Sequence, residues 1–419
     1  MVMTTHRMTT AAAGEWRAHW PSALSAAVGM SFSTLYVYSA GGLTEPLEQE
    51  FGWSRAAIGS GISVLTITGS LLGPIMGAAV DRFGSRRIAV PGVIGFCLAF
   101  ALLSLATESL WTWWLLWFLL ALLGVGVKPA VWTTAVASLF QKSRGLALAV
   151  TLSGASLGSI FTPLLTNWLV DHHGWRGAFV GLPLIWGAIG VPLIFFGFRG
   201  ASDKERRNLS RGVVTAPIPG GGLRVRDAIL SRRFTSLLIA AMAFSLLAVS
   251  LIVSLIPILS SHGIPRGTGA GIAATIGITA VIGRIATGYL LDHFDPRLVS
   301  AVTMALPIVT LTLLLAMPGS VPLAFLAVLV MGLSLGAEVD AVAFLTGYYF
   351  GVRHYGLLFG TIMSGLSIAA GSAPLIAGTI FDRTGSYDLM LMGAIPLCLL
   401  AAGLIASLGL PPKAASRRE

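Results

Sequence analysis

The chain is a succession of apolar runs of about 20 residues or more, separated by short polar breaks. A helix of about 20 apolar residues crosses the roughly 30 Å hydrocarbon core of a bilayer. Within that core every backbone N–H and C=O must be satisfied by the protein itself, which leaves helices and closed barrels. A barrel needs short segments of alternating polarity, and these runs do not alternate. Only 11% of the 419 residues are charged, against roughly 25% in soluble domains. The expected fold is therefore all-α and integral to a membrane.

Twelve runs have this length, near 21–44, 56–80, 88–107, 111–140, 145–170, 177–198, 235–260, 268–291, 299–317, 321–350, 357–380 and 388–410. The longest break, 199–234, holds Arg199, Lys204, Arg206, Arg207, Arg211, Arg224, Arg226, Arg232 and Arg233 with Pro217, Pro219 and Gly220 to Gly222. Such a charged, breaker-rich stretch reads as a linker. It separates an N-terminal half, 1–198, from a C-terminal half, 235–419, with six runs in each.

Lys and Arg set the orientation. Of the 27 in the chain, about 21 fall on one side if the N-terminus is cytoplasmic, and about four on the other. Arg82, Arg86, Arg87, Lys142, Arg144, Arg353 and Arg418 are on the inner side. Both termini are then expected in the cytoplasm, in a multi-pass protein of the cell (inner) membrane. The net charge of +10 is read as this topology signal and not as a nucleic-acid surface. Residues 1–19 are polar and lead into a run too long for a signal-peptide core, so no cleavable signal is expected. Cys97 and Cys398 fall within apolar runs and imply no disulfide framework.

The halves echo each other. Gly77-Ala78-Ala79-Val80-Asp81-Arg82-Phe83-Gly84-Ser85-Arg86-Arg87 ends the second run. Gly288-Tyr289-Leu290-Leu291-Asp292-His293-Phe294-Asp295-Pro296-Arg297 ends the matching run of the second half. A Gly, an Asp four residues later and distal basic residues recur about 211 residues apart, as in transporters built from two related bundles about a central site.

The first of these segments resembles the loop between helices 2 and 3 of the major facilitator superfamily, and all eleven positions fit. The second copy departs from the pattern, with Asp295 where a Gly is expected. The resemblance extends over essentially the whole chain. It implies twelve helices in two six-helix bundles working by alternating access, with Gly77, Asp81, Arg82, Gly84, Arg86 and Asp292 as gating or structural residues. Phe51-Gly52-Trp53-Ser54-Arg55 and Gly174-Trp175-Arg176 look like the monocarboxylate porter and oxalate:formate antiporter branch. So do Gly336-Ala337-Glu338-Val339-Asp340, Tyr349-Phe350-Gly351 and Phe381-Asp382-Arg383-Thr384-Gly385-Ser386-Tyr387. In that branch a helix 8 arginine binds the substrate carboxylate, and Arg284 matches it by its place before Gly288 and Asp292. Two departures bear on the substrate. Ala280 stands where animal monocarboxylate carriers have an Asp, and the run 357–380 lacks the lysine of oxalate antiporters. The helix 5 pattern of drug:proton antiporters is also missing beyond Gly154 and Gly158.

Four ionisable residues lie deep within runs: Lys128, Arg284, Glu338 and Asp340. Counted at 1.5 Å per residue from the cytoplasmic ends, they sit roughly 12–18 Å up, near mid-bilayer. Such charges are costly in lipid and mark functional sites. Arg284 cannot shed its proton, so it calls for an anion; the competing structural reading is a pair with Asp340 or Glu338. On a helix, i and i+4 share a face. Asp340 shares its face with Phe344 and Tyr348, which favours a substrate cavity, whereas Glu338 shares its face with Ala341 and Leu345, which favours a helix contact. Lys128 lines up with Gly124 and Trp132, and Phe32 with Tyr36.

Two cations and two acids balance, so an arriving carboxylate is matched if Asp340 or Glu338 takes up a proton. The expected function is secondary transport of a small monocarboxylate such as lactate, pyruvate or an aromatic acid, by proton symport. Arg284, Lys128, Tyr36, Phe32, Trp132, Phe344 and Tyr348 are the expected substrate-binding residues, with Asp340 and Glu338 coupling protons. Carboxylate exchange is the rival within this class, and a transport-inactive receptor the rival outside it. An enzyme is not expected: His172 and His173 are adjacent on an outer loop, not spaced as helical metal ligands. No cofactor, metal or nucleic acid is expected, and the protein is expected to act as a monomer in the lipid bilayer.

Overall fold

The computed structural model describes residues 2–201, 203, 224–316 and 319–409. Most of the expected linker, including Lys204, Arg206, Arg207 and Arg211, lies outside the described residues, as does Arg418. Among the described residues the regular structure is helical throughout. The N-terminal half runs α1 (Val2–Phe32), α2 (Leu35–Phe51), α3 (Arg55–Phe83), α4 (Ser85–Leu102), α5 (Leu110–Leu123), α6 (Pro129–Leu139), α7 (Arg144–Leu152) and α8 (Gly154–Gly197). The C-terminal half runs α9 (Val225–Ile229), α10 (Arg232–Ser261), α11 (Arg266–His293), α12 (Pro296–Ala305), α13 (Pro307–Leu315), α14 (Val321–Phe350), α15 (Tyr355–Thr384) and α16 (Asp388–Ala406).

Ten stretches among the described residues are long and apolar enough to cross a membrane, where twelve runs are expected from the sequence. One of the ten, Arg144–Gly197, is 54 residues long, which at 1.5 Å per residue is about 80 Å and more than twice the hydrocarbon core. Gly174 divides it, with φ 67° and ψ 175°, a backbone setting that glycine adopts without a Cβ clash. The run at 21–44 is not one continuous helix either. It breaks at Ser33–Thr34 between α1 and α2.

The chain forms two compact units. The first holds 1–222 and 352–361, and the second holds 223–351 and 362–419. The first unit has an aromatic core: Phe96 and Phe100 pack at 5.7 Å, Phe100 and Phe179 at 5.6 Å, and Trp113 and Trp117 at 5.5 Å. The second is aliphatic, around Leu251, Leu255, Ile258, Leu311, Val328 and Met331. Ile67, Leu71 and Ile75 lie one helical turn apart on α3 and are 63%, 71% and 65% exposed. A row of bare apolar side chains on one helix face is what a lipid-facing surface requires.

In the first unit a carboxylate near the end of α2 ties that helix to the Gly174-Trp175-Arg176 segment. Glu50 accepts a hydrogen bond from Trp175 Nε1 and another from Arg176 Nη1, both at 2.5 Å. The Arg176 guanidinium lies 4.2 Å over the Trp175 ring. The Trp175 and Arg176 hydrogen bonds hold the Glu50 carboxyl below its ordinary pKa.

Candidate functional site

In the second unit α11 and α14 pack with almost no side chain between them. A Cβ on Gly283 would meet Leu333 O, one on Gly336 would meet Ala280 O, and one on Gly332 would meet Thr279 Oγ1. Small residues facing each other bring helix backbones together in a membrane. One turn beyond Gly336 on α14, this approach places Asp340 opposite Arg284. Arg284 Nε lies 3.6 Å from Asp340 Oδ2, with the arginine side chain 14% and the aspartate 1% exposed. This is an ion pair without a hydrogen bond, since N–H···O bonds span 2.7–3.2 Å. Among the described residues neither oxygen of Asp340 has a hydrogen-bond partner, nor does Glu338 Oε1. A buried carboxylate in that state is the exception among buried polar groups. Phe344 and Tyr348 stack at 6.1 Å on the Asp340 face of α14. Glu338 is also buried, at 7%, so burial does not separate the roles expected for the two acids.

In the first unit the expectation of a continuous helix over 111–140 fails. α5 ends at Leu123, Gly124–Val127 form a 3-10 turn, and Lys128 is extended, with φ −66° and ψ 152°. Pro129 is the reason. The residue before a proline is pushed out of the helical region, and proline itself sits well at the first position of a new helix. The Lys-Pro pair is present in the sequence, but the apolar run continues through it and hides the break. The face shared by Gly124, Lys128 and Trp132 therefore does not exist. Gly69 on α3 makes room for the lysine instead, as a Cβ there would sit 2.7 Å from Lys128 Nζ.

Trp132 is fully buried and donates Nε1–H to Val127 O at 3.0 Å. It packs on Phe198 at 4.9 Å and on Gly29 of α1. Phe32 is also fully buried, edge-on to Phe96 at 6.2 Å and against Gly190. Both make packing contacts in this structure, and the break at Ser33–Thr34 separates Phe32 from Tyr36. Tyr36 lines two cavities.

The Gly77 motif residues cluster at the end of α3. Asp81 Oδ1 accepts from Gly356 N and Oδ2 from Leu357 N, both at 2.9 Å. These are first-turn amides of α15, which have no partner inside their own helix. Gly77 abuts Gly356 O, and no side chain fits there. Arg86 donates Nη1–H to Phe198 O at 3.4 Å, and Arg82 lies over Phe83. Gly84, with φ 86°, turns the chain between α3 and α4. Asp292 lies near the end of α11. Among the described residues no group of three His, Cys, Asp or Glu could hold a metal ion.

Relatives of this chain are known. The gallate transporter of Pseudomonas putida is 26% identical over 370 residues, 79% of this chain and 81% of that protein. A multidrug resistance protein of Photorhabdus laumondii is 30% identical, over 34% of this chain and 37% of that protein. Among solved structures, a proton:xylose symporter superposes with a TM-score of 0.73 at 12% identity, covering 92% of this chain and 94% of that one. A human organic anion transporter gives 0.68 at 18% identity, over 93% and 99%. These likenesses confirm the all-helical transporter fold. The Major Facilitator Superfamily model matches residues 24–374, and its members move solutes and are not enzymes. The chain belongs to the Major Facilitator Superfamily and is a multi-pass membrane protein acting as a secondary transporter.

Proposed function

We propose that this transporter carries small monocarboxylates, aromatic acids foremost, by proton-coupled symport, with Arg284 binding the substrate carboxylate. The observation that carries the reading is the Arg284–Asp340 pair, held at 3.6 Å with no hydrogen bond and both Asp340 oxygens unpartnered. A guanidinium presents donors in a fork that matches a carboxylate in bidentate fashion. An arriving carboxylate competes with Asp340 for that fork. Protonation of Asp340 removes the competitor and keeps the site neutral, which couples one proton to one monoanion. Glu338, buried two residues away, is the alternative carrier. Phe344 and Tyr348 supply an aromatic surface beside Asp340. The likeness to a gallate transporter supports an aromatic acid, since gallate is an aromatic monocarboxylate. Twelve crossings, cytoplasmic termini, an inner-membrane location and a monomeric state complete the proposal, with Gly77, Asp81, Arg82, Gly84, Arg86 and Asp292 serving the gate.

The test is uptake of radiolabelled gallate and lactate into proteoliposomes under an imposed inward proton gradient. Wild-type protein should accumulate gallate, and Arg284→Gln should not. Asp340→Asn should lose gradient-driven accumulation while retaining counterflow. Gallate accumulation by Arg284→Gln at the wild-type rate would sink the proposal. Uptake that ignores the gradient but needs a carboxylate inside identifies exchange instead.

A further inference from the structure

The first unit contains two cavities that meet at one phenol ring. The larger, about 420 Å³, is walled by Tyr36, Trp113, Trp117 and Phe179, with Thr44 and Glu45 toward α2's outer end. The smaller, about 20 Å³, is lined by Ser33, Tyr36, Phe96, Gly124, Val127 and Lys128. Such a space holds about one water molecule. Tyr36 belongs to both linings, so its side chain partitions them, and it stands edge-on to Trp117 at 6.4 Å.

Two features mark the smaller cavity as built. It lies where two of this unit's apolar runs are interrupted, at Ser33–Thr34 and at Gly124–Lys128. Non-helical backbone at membrane depth is tolerated where it is buried in protein or lines a cavity, and broken helices of transporters frame their ligands. Lys128 also brings an ammonium that, among the described residues, has neither an ion pair nor a hydrogen bond. A half-buried cation at membrane depth without an anion is expensive.

The charges are also ordered along the cavity. Glu45 is exposed and accepts from Gln49 Nε2 at 3.3 Å. It lies nine residues beyond Tyr36 on α2, or about 13 Å along the axis. An acid at the mouth and a cation behind the floor orient an anionic ligand charge-first toward Lys128. Three aromatic walls and the Tyr36 ring then meet its apolar body, and offset or edge-on ring packing favours an aromatic one. A volume of about 420 Å³ lies within the range of small-molecule sites, roughly 300–1,000 Å³.

From this geometry we infer that the first unit holds an aromatic-monocarboxylate site of its own, in which the ring fills the Trp113–Trp117–Phe179 vestibule and the carboxylate reaches Lys128 as Tyr36 swings aside. The site rests on the chain being an organic-acid carrier, but on no residue used in the Arg284 reading.

The experiment is equilibrium binding of radiolabelled benzoate to the full-length Arg284→Gln protein in lipid nanodiscs. Saturable binding should persist, and acetate and benzyl alcohol should each compete about tenfold more weakly or worse, because one lacks the ring and the other the charge. Adding Lys128→Met should weaken benzoate by about tenfold or more, and Trp117→Ala likewise. A second measurement leaves the lysine intact: maleimide labelling of Ala40→Cys, at the vestibule wall, should be slowed by benzoate and not by acetate. Loss of all saturable binding in Arg284→Gln overturns this site and leaves the Arg284 reading standing. Unchanged binding in the Lys128→Met variant, or equal protection of Ala40→Cys by acetate, also overturns it.

Discussion

Gly336 of α14 lies so close to Arg284 of α11 that a Cβ on the glycine would fall 2.9 Å from the arginine's backbone nitrogen. The charged pair one turn further on depends on this approach. The Arg284 side chain is thus placed by one that is missing.

Gly336→Ala should therefore lower thermal stability and substrate binding together. The added methyl meets Ala280 O head-on, and overpacking of this kind costs about 1–3 kcal/mol. Gly277→Ala on α11 is the internal control. Nothing lies within 4 Å of its Cβ position, and alanine is the better helix former by about 1 kcal/mol. Unfolding curves of the purified proteins should rank Gly277→Ala at or above wild type and Gly336→Ala well below it. Equal midpoints for the two variants would remove the packing argument.

The Arg284–Asp340 pair should show strong non-additivity. Removing one partner of a buried pair leaves an uncompensated charge and costs about 3–5 kcal/mol, whereas removing both can be near neutral. Asp340→Asn should thus unfold at a lower temperature than the double variant Arg284→Gln/Asp340→Asn. If the double variant is the less stable by the sum of the singles, the two residues do not interact.

Asp81 satisfies two amides of the first turn of α15. Asp81→Asn keeps one acceptor oxygen and Asp81→Ala keeps none. Each buried donor left unsatisfied costs about 1–3 kcal/mol, so stability should fall in that order, with a measurable step between the two variants. Hydrogen exchange at Gly356 and Leu357 should rise in parallel, and unchanged exchange in Asp81→Ala would contradict the contact.

The Glu50 clamp predicts a pH dependence. Its hydrogen bonds from Trp175 and Arg176 lower the carboxyl pKa beneath the ordinary 4.5. A depressed folded-state pKa contributes stability that is present above the unfolded value and lost as pH falls through the folded one. The melting temperature of wild type should accordingly fall below pH 4.5 more steeply than that of Glu50→Gln, which lacks the titrating group. Because the pair is exposed (51% and 39%), solvent screening keeps the effect small. Parallel pH profiles for the two proteins would show that the clamp contributes nothing.

The sequence by itself determined the solvent and the class. Apolar runs of bilayer length, few charges and an eleven-residue motif at Gly77–Arg87 are local features, and local composition decides whether a segment enters lipid. The cost of an unpaired guanidinium likewise singled out Arg284 without any structure. Tertiary structure decided what each of these residues meets. Helical periodicity put Trp132 and Phe32 on candidate cavity faces, but a face says nothing of what packs against it, and both are fully buried in ordinary contacts. Hydrophobicity also reads straight through a break whose carbonyls and amides are satisfied inside the protein, so the interruptions at Ser33–Thr34 and Lys128–Pro129 did not show in the apolar pattern. The pairing of Arg284 with Asp340 over Asp340's neighbour Glu338 depended on the register of α11 against α14. That register is set by glycines whose contacts lie about 50 residues away in the chain, and no local reading of either helix contains it.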